Sequence, residues 1–173
     1  TQKRVVGRRN RYWGGLLLDE KPLQVVASDE SAQLLKAAAI QAWKQVFPFD
    51  DRQLCEFLLR TRWLRGQLGE ASSIPSWSER DLQTLLPLVC HQCLSLAEVA
   101  KADWKALLLG QLNFGQKKLL DQAAPEFIVV PSGRRIRLRY QENQPPILEV
   151  RIQEMFGLNE TPRIALGQVA VLL

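Results

Sequence analysis

The sequence predicts an α+β fold, with a central bundle of short helices flanked by β-rich N- and C-terminal segments that form a small sheet with one amphipathic helix. Three observations predict it. Arg135, Arg137 and Arg139 alternate with Ile136, Leu138 and Tyr140, the period of two that gives a strand one cationic and one apolar face. Between residues 29 and 124, apolar residues recur at helical spacing behind capping residues. After Pro145-Pro146, Leu148, Ile152, Met155 and Phe156 recur at i, i+4, i+7 and i+8.

Taken in order, residues 1–28 form a basic β segment, reading from Arg4 to Leu18 as one long strand or a bent pair, because Gly14-Gly15 permits a bulge or tight bend. Residues 29–124 form the helical bundle. Its first helix places Leu35, Ala39, Ala42, Trp43 and Val46 on one stripe, with Ser28 or Asp29 as N-cap and Pro48 as its stop. Asp50 or Asp51 caps a second, with Leu54, Phe57, Leu58 and Leu64 apolar and Arg60, Arg62 and Arg65 charged. Ser78 to Asp81 and Ser95 to Glu98 are capping boxes, Pro87 kinks or breaks the helix between them, and Asp103 and Asn113 with Gln116 open the last two helices. Residues 125–173 form a β-rich unit with strands at 127–130, 136–140 and 164–173 and a helix at 147–157 stopped by Gly157. The chain ends in the apolar run 169–173, which reads as a truncated final strand.

Bulk composition excludes several classes. At 173 residues, 46% hydrophobic and 24% charged, the chain has the content of a globular domain rather than a disordered one. Its apolar runs fall far short of the roughly 20 residues that span a bilayer, so no membrane partner is expected. Cys55, Cys90 and Cys93 are too few and odd in number for a disulfide framework, which points to a reducing, cytoplasmic setting. Cys90-His91-Gln92-Cys93 spells C-x-x-C, but no second Cys/His pair exists to complete a zinc site, and the motif reads as buried helix residues. His91 is the sole histidine and lacks a local nucleophile or acid for a triad. The tryptophans of the helical region read as core, and Glu149, Glu154 and Glu160 as a solvated face.

The net charge of +5 is unevenly spread. Residues 1–13 and 134–139 hold nine of the 23 basic residues and no acid, while the remaining 14 face 18 acids. Arg8, Arg9, Arg11, Arg134, Arg135, Arg137 and Arg139 are therefore the candidate nucleic-acid contacts, since guanidinium groups spaced along a strand face match a phosphate backbone. Tyr12 and Trp13 beside them add surfaces for base stacking, which points to single-stranded RNA or DNA. The competing reading makes Arg135, Arg137 and Arg139 a solvated strand face paired with acids such as Asp19, Glu20 and Glu142, and puts Tyr12 and Trp13 in the core.

The run VPSGRRIRLRY, the Pro-Pro linker, LEVRIQEMFGL and TPRI together resemble the C-terminal region of HrpB-type bacterial DEAH-box ATP-dependent helicases. The opening RNRYWGGLLLDEKPL is more loosely similar to the arginine-rich strand that precedes that family's helices. The resemblance implies an accessory region of an ATP-dependent RNA/DNA helicase that contributes nucleic-acid binding or regulates the motor. It assigns ATP and Mg²⁺ to two RecA-like motor domains upstream; this segment has neither a G-x-x-x-x-G-K-[ST] loop nor a DEAH run, so no cofactor and no catalytic residue is expected within it. The alternative is a protein-interaction module that docks on the motor domains or self-associates, without nucleic-acid contact.

Overall fold

The glycine pair at 14–15 sets the first element. Both residues have positive φ, 56° and 107°, as a two-residue hairpin turn requires, so the basic opening is a bent pair: β1 (Gly7–Trp13) and β2 (Leu16–Leu23) run antiparallel. A bulge follows Arg11, which faces Asp19, whereas Tyr12 faces Leu17. The computed structural model describes residues 3–158 and 160–173, and these fall into two units that interleave along the chain.

The first unit comprises Thr1–Phe49 and Glu79–Ala102. Besides the hairpin it holds α1 (Asp29–Gln41) and α2 (Trp43–Val46); α3 (Arg52–Leu68) belongs to the other unit, and α4 (Glu79–Thr84), α5 (Leu86–Cys90) and α6 (Leu96–Ala100) return to the first. Ser28 caps α1 in a reciprocal box with Ser31, each satisfying the other's free backbone N–H. Pro87 sits in the first turn of α5 and marks a break from α4 rather than a kink. Ser95 caps α6 by accepting from the Glu98 N–H, and the Glu98 carboxylate accepts from the Leu94 N–H at 2.7 Å. Leu35, Ala39, Val46, Leu86, Cys90 and Val99 form this unit's core. Cys90 and Cys93 are free, buried thiols, and burial pushes Cys90 up to about 11, the behaviour of packing residues rather than reactive ones.

The second unit comprises Asp50–Ser78 and Asp103–Leu173. Its spine is α3, capped by Asp51, whose carboxylate accepts from the N–H groups of Gln53 and Leu54. α7 (Trp104–Gln111) and α8 (Phe114–Ala123) follow, capped by Asp103 and by the Asn113–Gln116 box. β3 (Phe127–Val129), β4 (Arg135–Gln141) and β5 (Gln144–Leu148) make an antiparallel sheet in chain order. β6 (Arg163–Ile164) and β7 (Val169–Ala170) make a short hairpin. The Ala165 N–H donates to the Ala123 carbonyl at 2.7 Å, tying this hairpin to the end of α8.

The α+β class thus holds, with helices flanked by small antiparallel sheets, while three element-level expectations are corrected. The N- and C-terminal strands do not share one sheet; β1–β2, β3–β5 and β6–β7 are separate. The expected helix at 147–157 is replaced by β5, which contains Pro145 and Pro146, followed by a single 3-10 turn at Ile152–Met155. The cause is tertiary. Leu172 lies against the far edge of β5, donating to the Pro146 carbonyl at 2.9 Å and accepting from the Leu148 N–H at 2.7 Å, and an edge strand tolerates proline because its missing N–H costs no ladder bond. Leu148 is fully buried as a strand residue, while Ile152 and Phe156 of the supposed stripe are exposed. The expected strand at 164–173 is likewise split, by Ala165, Leu166 and Gly167 at positive φ.

Candidate nucleic-acid interface

The two basic strands differ in how their charges are used. In the hairpin, Arg8 forms an ion pair with Glu20, and Lys21 pairs with Asp19 at 3.4 Å. Among the described residues, Arg9 and Arg11 have no carboxylate partner, and both are exposed. Tyr12 and Trp13 are 60% and 78% exposed, so they do not fill a core. The hairpin therefore presents two uncommitted guanidinium groups next to two solvent-facing aromatic rings.

The arginines of β4 stand on the exposed face, as the alternation predicts, while Leu138 and Tyr140 point inward and are buried. Trp63 packs on Tyr140 with ring centroids 5.2 Å apart and donates from Nε1 to the Gln144 carbonyl at 2.8 Å. The Tyr140 hydroxyl donates to the Pro125 carbonyl at 2.7 Å, and burial pushes its pKa well above the ordinary phenol value. On the outer face Arg137 is hydrogen-bonded to Glu56, Arg139 to Glu149 and Arg134 to Glu154. Arg135 and Arg137 lie over the Phe127 ring at 4.9 and 5.2 Å, a cation–π arrangement. The partner acids are not Asp19, Glu20 or Glu142 but glutamates delivered by α3 and by the chain after β5.

Arg60 departs from its charged neighbours in the second unit. The sequence marks Arg60, Arg62 and Arg65 alike as the charged residues of α3, yet Arg60 is only 5% exposed. Its guanidinium donates to the carbonyls of Leu120 and Ala124, to Asp121 at 2.8 Å and to Glu126 at 3.1 Å, fastening α3 to the end of α8. Arg62 and Arg65 donate to the carbonyls of Trp77 and Ile74 and hold the following loop. A signal was present: Arg60 lies three residues after Phe57 and four before Leu64, on the buried stripe itself. Its acceptors, some 60 residues away, left no local mark.

The sequence carries no phosphate loop, and among the described residues no three His, Cys, Asp or Glu gather to hold a cation.

Comparison with known proteins places this geometry. Residues 85–173 match the HrpB_C family, described as ATP-dependent helicase C-terminal. A stretch of 79 residues, 46% of the chain, is 43% identical to the ATP-dependent RNA helicase HrpB of Escherichia coli strain K12 and covers 10% of that protein. Two crystal structures, of the E. coli DExH-box NTPase HrpB and of the E. coli DEAH/RHA helicase HrpB, superpose on 99% of this chain with TM-scores of 0.76 and 0.75 and 28% identity. The chain spans 23% of each of those proteins, well under two thirds of their length. The family match takes in the whole run from Val130 to Ile164 on which the resemblance rests, and the chain belongs to the ATP-dependent helicase C-terminal family.

Proposed function

We propose that this region is an accessory part of a helicase that holds single-stranded nucleic acid, RNA or DNA, near the motor domains, with the Gly7–Leu23 hairpin as the main contact. One observation carries the reading: Arg9 and Arg11 lack carboxylate partners among the described residues and stand beside the exposed rings of Tyr12 and Trp13. Free guanidinium groups neutralise phosphates, and flat aromatic faces accept unstacked bases without regard to sequence. Arg134, Arg135, Arg137 and Arg139 are secondary contacts, because a polyanion must first displace the glutamates from three of them. The contribution is affinity, with ATP hydrolysis left to the motor.

The test is binding of a labelled single-stranded RNA over a salt series. Replacing Arg9 and Arg11 by alanine weakens binding and lowers the log–log salt slope by about 0.7 for each phosphate no longer neutralised. Absence of binding at low salt, or an unchanged slope in the double variant, rejects the reading.

A second reading has the hairpin dock on the motor domains or on another copy, supported by the exposure of Leu16, Leu17 and Leu18 on β2. Sedimentation of the chain alone and with motor domains distinguishes it, since docking raises the sedimenting mass and simple RNA binding does not.

A further inference from the structure

We infer that the cavity between α3, α7 and β4 is an oxyanion site that takes one phosphate group, with Lys105 as its principal ligand. The inference rests on the proposed function only in regarding nucleic acid as one source of that phosphate.

The cavity has a volume of about 120 Å³ and is walled by Gln53, Glu56, Arg60, Lys105, Glu126 and Arg137. That is room for roughly four water molecules, enough for a tetrahedral oxyanion. The charges around it do not cancel. Glu56 is shared by Arg52 and Arg137, while Glu126 and Asp121 are both held by Arg60. Among the lining residues three cations, Arg60, Arg137 and Lys105, thus face two carboxylates, Glu56 and Glu126, and the unmatched one is Lys105, a half-buried residue with no carboxylate partner among the described residues. Partial withdrawal from water strengthens its attraction for an anion.

The available donors agree with this reading. Lys105 offers three N–H groups and Gln53 a side-chain amide, while Arg137 keeps donors beyond its bond to Glu56. Arg60 directs its donors to Leu120, Asp121, Ala124 and Glu126, so it supplies a fixed positive wall rather than a ligand. Tyr140 donates to Pro125 and burial keeps it protonated, so it adds no negative charge. A metal cation is disfavoured by the same charge balance, because each carboxylate is already tied to an arginine. An adjoining groove of about 390 Å³ shares Glu56, Arg137 and Tyr140 and adds Arg52 and Arg139, leaving space for whatever carries the phosphate.

The experiment is a heteronuclear NMR titration of the 173-residue chain with inorganic phosphate against chloride at matched ionic strength. Phosphate-specific shifts should concentrate at Gln53, Lys105 and Arg137. Lys105→Gln should weaken binding by about tenfold or more, the loss of a charge-assisted bond, and Lys105→Arg should restore most of it. Shifts no larger than those from chloride, or equal binding by Lys105→Gln, overturn the site. Should Lys105→Gln fail to fold, Gln53→Leu carries the test: weaker phosphate binding supports the site, and unchanged binding overturns it. A parallel arm with dimethyl phosphate assigns the source. Binding of the diester supports a nucleic-acid backbone, and binding of inorganic phosphate alone supports a free or terminal phosphate. Loss of the phosphate response with RNA binding intact sinks this inference and spares the hairpin; the opposite pattern does the reverse.

Discussion

The strands Gly7–Trp13 and Arg135–Gln141 each carry three arginines, and the molecule uses them in opposite ways. In β4 both faces are occupied: Leu138 and Tyr140 are buried and the outer arginines meet glutamates or the Phe127 ring. In β1 every residue after Gly7 is exposed, and the strand pairs only with its own hairpin partner. Arginine content alone therefore does not tell whether a strand backs on a core; the period-two alternation with apolar residues, present in β4 and absent from β1, does. Burial of a side chain such as Leu138 stabilises by roughly 1.5–3 kcal/mol, whereas the exposed ion pairs outside it contribute about 0–1 kcal/mol each. β4 is held by its inner face, and its arginines are matched without being what holds it. The hairpin is held by its turn and ladder, which leaves Arg9, Arg11 and the exposed rings of Tyr12 and Trp13 for a partner.

This contrast is open to attack, beginning with stability. Arg60→Ala removes the buried guanidinium that fastens α3 to the end of α8 and leaves the Leu120 and Ala124 carbonyls without their donor, so urea denaturation should show a loss of about 3 kcal/mol. Arg9→Ala should stay within about 0.5 kcal/mol of the parent in the same assay. Equal costs would mean that the hairpin, too, is packed. Next in size is Trp13→Ala, expected to leave the melting temperature unchanged while costing about 1–3 kcal/mol of single-strand RNA affinity. A large fall in melting temperature would return Trp13 to a structural role.

Replacing Glu56, Glu149 and Glu154 together by glutamine sharpens the comparison from the other side. Each exposed pair removed should cost at most about 1 kcal/mol of stability. If the β4 arginines meet phosphates, the triple variant binds RNA more tightly with a steeper salt slope. Unaltered binding would confine the interface to the hairpin.

A further check lies in the hairpin's own unit and serves as a control on packing. Burial raises the Cys90 thiol from 9.0 to about 11. Above its unfolded pKa the unfolded chain therefore loses a proton that the folded chain keeps, and stability falls as pH rises from 9.0 towards 11. Thermal melts across that window should show a decline that Cys90→Ala flattens; an identical slope in the variant would show that the thiol is solvated.

Much of this was legible in the chain because its causes are local. Ser28, Asp51, Ser95, Asp103 and Asn113 all cap helices where their spacing indicates, since a cap needs only backbone N–H groups two or three residues away. Gly14-Gly15 makes the turn its positive φ permits, and β4 follows its period of two. The site was legible only in composition. Sequence placed arginines in two strands, but the glutamates that occupy one set come from Glu56, 81 residues before Arg137, and from the chain after β5.

The same division separates Leu148 from the stripe it seemed to begin. Residues 148–156 satisfy a helical periodicity, and nothing local forbids it. Leu172 nevertheless bonds the edge at Pro146 and Leu148 and draws that stretch into a sheet. Capping, turns and strand period belong to the sequence by itself, because their partners are neighbours in the chain. The exposure of Trp13, the burial of Arg60 and the strand at Leu148 were decided only when distant segments met, because burial and hydrogen-bond satisfaction depend on what the fold brings alongside.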